Sequence, residues 1–284
     1  ASTAPLLIAP AMEDTMFRHP AMQQNLETLR ARGAMVVGPE SGRLASGEQG
    51  IGRMSEPATI VGAARKILGR NGILQGRRIV VTAGGTREAL DPVRYLGNRS
   101  TGLMGYAIAQ SAIDAGAAVT LVSGPTSLDT PYGAERIDVQ TAVEMKEAVT
   151  EAVNGADVII MSAAVADYRP NAVRSEKIKK SELGATLSLD LVTNPDIIAS
   201  IGHDGLIKIG FAAETSNLVE HAQRKLREKG LHLVVANNAE QAIGSRDNQV
   251  TLVWPNGDVD QLPLMPKSDV AELVIERVGT LLAG

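Results

Sequence analysis

The sequence predicts an α/β protein: a doubly wound, mostly parallel, Rossmann-like sheet with added antiparallel strands and a hairpin. Three observations predict it. From Arg78 onward, short apolar runs alternate with segments of helical periodicity, as repeated βαβ units do. One run, VIIMS at 158–162, is uniformly apolar, as expected of a strand covered on both faces. Aromatic residues make up only 2% of the chain, so the core must come from Val, Ile, Leu and Ala. That favours a parallel sheet under helices over a β-sandwich.

In chain order, the apolar run 6–8 reads as a short strand, and 19–32 as a helix through the spacing of Met22, Leu26 and Leu29. A second short strand is expected at 35–37, a glycine-rich loop at 41–57 and a helix at 58–68. This segment, 1–70, is short for an independent domain, and 71–77 reads as a linker. The main domain, 78–284, opens with a strand at 79–83 and a helix at 103–115, where Met104, Ile108, Ala112 and Ala115 share a face. Strands follow at 118–123 and 136–139, a helix at 142–153 and the strand at 158–162. Then come a strand at 207–212, a helix at 217–229, a strand at 231–236 and a closing helix at 268–282. Two pieces break the alternation. ATLSLDLV at 185–192 alternates with period two, so it reads as a half-exposed strand. The runs 249–254 and 259–264 flank PNGD, a hairpin turn. Such antiparallel additions could form an edge, a covering segment or a dimer arm.

Composition narrows the function. A net charge of −4 gives no support to a nucleic-acid partner, which needs a basic face. No apolar run approaches the roughly 20 residues that span a bilayer, so no membrane partner is expected. There is no cysteine, hence no thiolate nucleophile or cysteine–zinc site. The cytoplasm is the expected location. The chain starts on Ala1, close to a strand-like run, and is expected to be a piece of a longer protein.

Ligands of open α/β sheets sit beyond the carboxyl ends of the strands. Four segments should converge there: the loop 84–102, SAAVADYRP at 162–170, TNPDII at 193–198 and GFAAET at 210–215. In the first, GNRSTGLMG at 97–105 opens a helix whose free N–H groups favour an anion. Ser100 and Thr101 could donate to a phosphate or merely cap the helix. The loop is far too long for a dinucleotide fingerprint, and Ser123 and Gly124 stand where that motif needs an acid. Asn98 is either a turn residue or a neutral donor for an acyl oxygen where charge develops. EKIKK at 176–180 is either a solvated charge run or a set of lysines facing phosphates. Lys225 and Lys229 share one helix face. Asp167 and Asp196 could bind a sugar hydroxyl or a Mg²⁺ water, while Asp196 could equally cap a helix after Pro195. His19, His203, His221 and His232 form no metal-ligand spacing.

GGTREALDPVRYLGNRSTG, SAAVADYRP, EKIKK, TNPDII and GFAAET, in this order, resemble the bacterial phosphopantothenate–cysteine ligases over about residues 75–284. These are commonly fused to a flavin-dependent phosphopantothenoylcysteine decarboxylase. PAMEDTMF and LASGEQGIGRM in the first 66 residues resemble the tail of that partner. Glu13 replaces an asparagine of the partner's motif, and Ser46 stands at its catalytic cysteine. The expectation is that residues 1–70 are a remnant without decarboxylase activity, with FMN confined to a missing part. The ligase resemblance implies a CTP- and Mg²⁺-dependent reaction of 4′-phosphopantothenate with L-cysteine through an acyl-cytidylate, in a typically dimeric enzyme. It implies that Ser100, Gly102 and Gly105 hold the pantothenate phosphate, with Gly85 nearby. Asn98 would steady the acyl-cytidylate and, with Lys177, carry the catalysis. Ser162, Ala163, Asp167 and Phe211 would line the nucleotide pocket. Asn194, Pro195, Asp196 and Ile197 would read the cytosine through backbone groups. Lys177, Lys225 and Lys229 would neutralise the triphosphate, and Asp167 is the candidate metal contact. Thr101 replaces a serine common in the family and keeps the hydroxyl. The competing readings are an NAD(P)- or flavin-dependent oxidoreductase and a non-catalytic nucleotide-binding module.

Overall fold

A computed structural model describes residues 3–179, 186–214, 217–238 and 244–283. The chain divides into two compact units, Ala1–Gly72 and Ile73–Gly284. In the first, β1 (Leu7–Ile8) pairs in parallel with β2 (Met35–Val36), with α1 (Asp14–Phe17) and α2 (Pro20–Ala31) between them. α2 begins where Pro20 fixes the first turn and His19 Nδ1 accepts from the Ala21 N–H. The stretch expected to be a glycine-rich loop is instead a hairpin, β3 (Glu40–Arg43) with β4 (Gln49–Arg53). Glycines at 42, 50 and 52 remove the side chains whose alternation would have announced it. A Cβ at Gly52 would lie 1.9 Å from the Met12 carbonyl oxygen, so this position tolerates nothing larger. α3 (Pro57–Gly69) completes the unit.

The second unit is built on β5 (Arg78–Ala83), the hairpin β6 (Arg87–Ala89) and β7 (Tyr95–Gly97), α4 (Leu103–Asp114), β8 (Ala118–Ser123) and β9 (Ala134–Asp138). α5 (Ala142–Ala152), β10 (Val158–Met161), β11 (Tyr168–Pro170), β12 (Leu191–Thr193), α6 (Ile197–Ser200) and β13 (Ile207–Glu214) follow. The chain continues through α7 (Leu218–Lys229), β14 (Leu233–Asn238), β15 (Asp247–Asn248), β16 (Val250–Val253), β17 (Val259–Gln261), β18 (Met265–Pro266) and α8 (Lys267–Ala283). Eight strands form one sheet in the order β17-β16-β14-β13-β10-β5-β8-β9. The six from β14 to β9 are parallel, and β16 and β17 extend that edge antiparallel.

The central strands are mostly apolar because both faces are covered. Along β5, Ile79, Val81 and Ala83 join the core beneath α4 and α8, while Val80 joins the core beneath α5 and α6. α7 covers Val234 and Ala236 of β14 through Ala222 and Leu226. Burying each such aliphatic side chain contributes about 1.5–3 kcal/mol, which is why these strands tolerate no polar alternation. Leu74, within the stretch expected to be a linker, is fully buried in the core beneath α4 and α8, and its N–H donates to the Ala115 carbonyl.

Of the strand expected over 185–192, only Leu191 and Val192 are regular, as the start of β12. It pairs antiparallel with β11, and residues 180–185 lie outside the described residues. After β5 the chain moves through α4 to β8 and β9, then returns through α5 to β10 on the other side of β5. The strand order reverses between β5 and β10, so a crevice opens beyond their carboxyl ends. Their loops are stitched together there: Thr82 Oγ1 accepts from the Ala163 N–H at 3.1 Å, and Thr86 Oγ1 from the Ala166 N–H at 3.0 Å. No helix among the described residues is long and apolar enough to cross a membrane.

Candidate active site

A cleft of about 910 Å³ lies at this crevice, bounded by 98–105, 161–168, 193–198 and 210–213 with Lys225 and Lys229. The four segments expected to converge therefore do so. One wall is the start of α4. Its N-cap, Gly102, has φ 79°, a left-handed conformation that a side chain would strain, and contributes no side-chain cap. Ser100 Oγ accepts from the Gly102 N–H at 3.3 Å, and Thr101 Oγ1 from the Leu103 N–H at 3.4 Å. Both hydroxyls thus orient the turn and face the same cleft as the helix N-terminus, a combination suited to an anion. Gly105 has a packing role besides: a Cβ there would lie 2.6 Å from Ala83 Cβ and 2.8 Å from the Thr82 carbonyl oxygen. Gly85 does not line the cleft. It supports the wall, because a Cβ there would meet the Asn98 carbonyl oxygen at 2.9 Å.

Asn98 follows β7 directly and donates from Nδ2 to the Val165 carbonyl oxygen at 2.9 Å. This is a tie between two distant loops, not a local turn bond. It orients the amide at the cleft wall and uses one of its two donor hydrogens. Ser162 and Ala163 sit in the β10 loop on the opposite wall. Asp167 is exposed there, and its carboxylate has no hydrogen-bond or ion-pair partner among the described residues. Asn194 is committed on both sides of its amide: Nδ2 donates to the Ala166 carbonyl at 2.8 Å, and Oδ1 accepts from Arg169 Nη1 at 3.1 Å. It ties the Ser162–Pro170 loop to the stretch that follows β12.

Asp196 caps α6, accepting from the Ala199 N–H at 3.3 Å. Its other oxygen pairs with Lys229 Nζ at 2.8 Å, so two residues expected to act separately on a nucleotide are partners. Ile197 belongs to the core and also borders the cleft. Lys225 Nζ donates to the Phe211 carbonyl oxygen, which places Lys225 and Phe211 on the same wall. Lys177 is exposed and does not line the cleft, and Lys180 lies outside the described residues.

The cleft also contains residues that sequence reasoning passed over. Lys267 begins α8, is nine-tenths buried and donates from Nζ to the Ser245 carbonyl at 2.8 Å. Burial pushes its pKa down. A lysine in the first turn of a helix opposes the macrodipole, and that was the available signal. Asn237 and Asn248, both buried, also line the cleft; the polar end of the apolar run LVVANN pointed to the first. Among the described residues no group of three or more His, Cys, Asp or Glu could hold a metal. A second cavity of about 840 Å³ lies against α5 and residues 193–195, away from the start of α4.

The family described as DNA/pantothenate metabolism flavoprotein C-terminal domain matches residues 74–281. The family described as Flavoprotein matches residues 1–69. The coenzyme A biosynthesis bifunctional protein CoaBC of Vibrio cholerae is 45% identical over 284 residues, covering 98% of this chain and 71% of the relative. The protein of the same description from Escherichia coli is 44% identical over 288 residues, covering 99% and 70%. A crystal structure of the C-terminal domain of a CoaBC protein superposes with a TM-score of 0.65 at 42% identity, covering 75% of this chain and 98% of that one. These matches overturn one expectation. The first unit matches a flavoprotein family in its own right, and the relatives are bifunctional, so the exclusion of decarboxylase activity does not stand. Glu13 and Ser46 had suggested it, but they are bonded to each other, Ser46 Oγ to Glu13 Oε2 at 2.9 Å, as parts of a folded unit and not as debris of a lost one. With a flavoprotein portion followed by a pantothenate-metabolism portion, the chain belongs to the CoaBC family of coenzyme A biosynthesis bifunctional proteins.

Proposed function

We propose that the second unit is a CTP-dependent phosphopantothenate–cysteine ligase. The observation that carries this is the meeting, in one cleft, of a helix N-terminus whose N-cap is a glycine, the Asn98 amide and two lysines of α7. A carboxylate is a poor electrophile. The carboxylate oxygen of 4′-phosphopantothenate therefore attacks the α-phosphorus of CTP, and the bond to pyrophosphate breaks. The amine of L-cysteine then attacks the acyl carbon of the cytidylate, expels CMP and loses a proton as the amide forms.

Each wall has a task in this scheme. The start of α4, with Ser100, Gly102 and Gly105, seats the pantothenate phosphate. Asn98, held by Val165, offers its remaining donor to the acyl oxygen as negative charge develops, an effect worth about 3–4 kcal/mol in comparable sites. Main-chain groups of 194–197 contact the cytosine, while Ser162, Ala163 and Phe211 line the nucleotide pocket. Lys225, Lys229 and, from outside the cleft, Lys177 face the triphosphate. Lys229 does so by exchanging part of its contact with Asp196 for phosphate oxygens. Mg²⁺, when bound, would neutralise phosphate charge; the residues present fit an ion held by the triphosphate and water, with Asp167 the available carboxylate.

The oxidoreductase alternative lacks its compact glycine turn, since a hairpin separates β5 from α4. For the first unit, the family assignment makes flavin-dependent decarboxylation the expected chemistry, and no step through FMN is derived from Glu13 or Ser46. We take the working form as a cytoplasmic homodimer without nucleic-acid or membrane partners; exposed Tyr168, Val173 and Leu191 on and around the β11–β12 ribbon support an apolar contact there. The test is pyrophosphate release by the chain with Mg²⁺, phosphopantothenate and either CTP or ATP. Release with CTP, absent without phosphopantothenate, is expected. Nucleotide binding without release would instead favour a non-catalytic binding module.

A further inference from the structure

The motif GGTREALDPVRYLGNRSTG contains a buried carboxylate that neither the phosphate seat nor the acyl site uses. Asp91 is 3% exposed. Its Oδ1 accepts from the N–H groups of Val93 at 2.7 Å and Arg94 at 2.8 Å, an ordinary aspartate turn. Oδ2 does something else. It accepts from the N–H of Ile178, eighty-seven positions later, at 3.1 Å, and from Arg94 Nη1 at 3.3 Å. Arg94 Nη2 in turn donates to the Ile178 carbonyl oxygen at 3.2 Å. One residue pair thus holds both main-chain groups of Ile178. The Arg174 N–H donates to the Leu90 carbonyl at 3.1 Å, so the stretch 174–178 is fixed at both ends to the tip of the β6–β7 hairpin. Ile178 is itself 6% exposed, between exposed Lys177 and Lys179.

Resting on the ligase reading above, we propose that Asp91 is a positioning residue: through Ile178 it fixes where Lys177 meets the triphosphate. The hairpin tip and Asn98 belong to one short ribbon. Asn98 is four positions after Arg94, roughly 13 Å at about 3.3 Å per extended residue. The amide and the lysine of the proposed reaction are therefore set at two ends of one hydrogen-bonded piece. Burial alone would push the Asp91 carboxyl up, but the N–H groups of Val93, Ile178 and Arg94 and the Arg94 charge outweigh it, and its pKa is lowered. The clamp is accordingly charged at neutral pH.

Asp91→Asn keeps the shape but cannot accept at both ends of the side chain. In the full chain, trypsin cleavage after Lys177 should accelerate about tenfold, because the segment opens more often. Turnover with CTP should fall roughly 10- to 100-fold, the usual effect of misplacing a reacting group. In a Lys177→Gln background, Asp91→Asn should cost less than about twofold, since the residue acts through that lysine. Arg94→Leu, which leaves the Asp91 turn bonds intact, should show the same pattern. Unchanged cleavage, or equal losses in both backgrounds, overturns the proposal. Faster cleavage with undiminished turnover also overturns it while leaving the ligase reading intact. No pyrophosphate from the unsubstituted chain overturns the ligase reading, and the proposal with it.

Discussion

In the proposed reaction Asn98 has two duties in one side chain. Its Nδ2 ties the loop after β7 to Val165, and that tie aims the amide at the cleft. Asn98→Asp would set a carboxylate oxygen 2.9 Å from a carbonyl oxygen and replace a donor with an anion where negative charge forms. We expect kcat to fall about 10²–10³-fold with CTP affinity unchanged, measured by rapid-quench detection of cytidylate and amide product. Undiminished turnover would remove Asn98 from the chemistry. Other single residues differ in how far sequence exposed them. The helix cap at Asp196 was legible because its signal is local, an acid after proline. Its ion pair with Lys229 was not, since it needs α6 and α7 to lie side by side. Asn248 reaches the cleft from far along the chain with nothing in its neighbours' sequence to say so, and Lys267 was marked only by its place in the first turn of a helix.

The element on which most depends is α4. Its first turn must lie hard against the end of β5 for its N–H groups to face the cleft, and Gly105 permits that. Gly105→Ala would bring a methyl to 2.6 Å from Ala83 Cβ and 2.8 Å from the Thr82 carbonyl, and neither neighbour is a flexible chain end. We expect a loss of about 1–3 kcal/mol in urea unfolding, together with weaker phosphopantothenate binding. A variant as stable as the parent would show that the helix start has room to move. Long periodic elements such as α4, β5 and β8 were legible because burial imposes their pattern. The hairpin β6–β7 was not: three-residue strands are too short to show alternation. The β3–β4 hairpin escaped for another reason, since glycine has no side chain to alternate.

Across the whole molecule, strand order does the placing. The strand order reverses between β5 and β10, and the loops that follow these two strands form two walls of the candidate cleft. This much could be read in advance, because alternating strands and helices admit few topologies. How the first unit contributes was misjudged from two substituted residues, Glu13 and Ser46, when the flavoprotein match over residues 1–69 was the better guide. Soaking 4′-phosphopantothenate into crystals of the chain tests the site most directly. The phosphate should lie within hydrogen-bond distance of Ser100 Oγ and the N–H groups opening α4, with the pantothenate carboxylate beside the Asn98 amide. A phosphate seated elsewhere, with the start of α4 bare, would contradict this account.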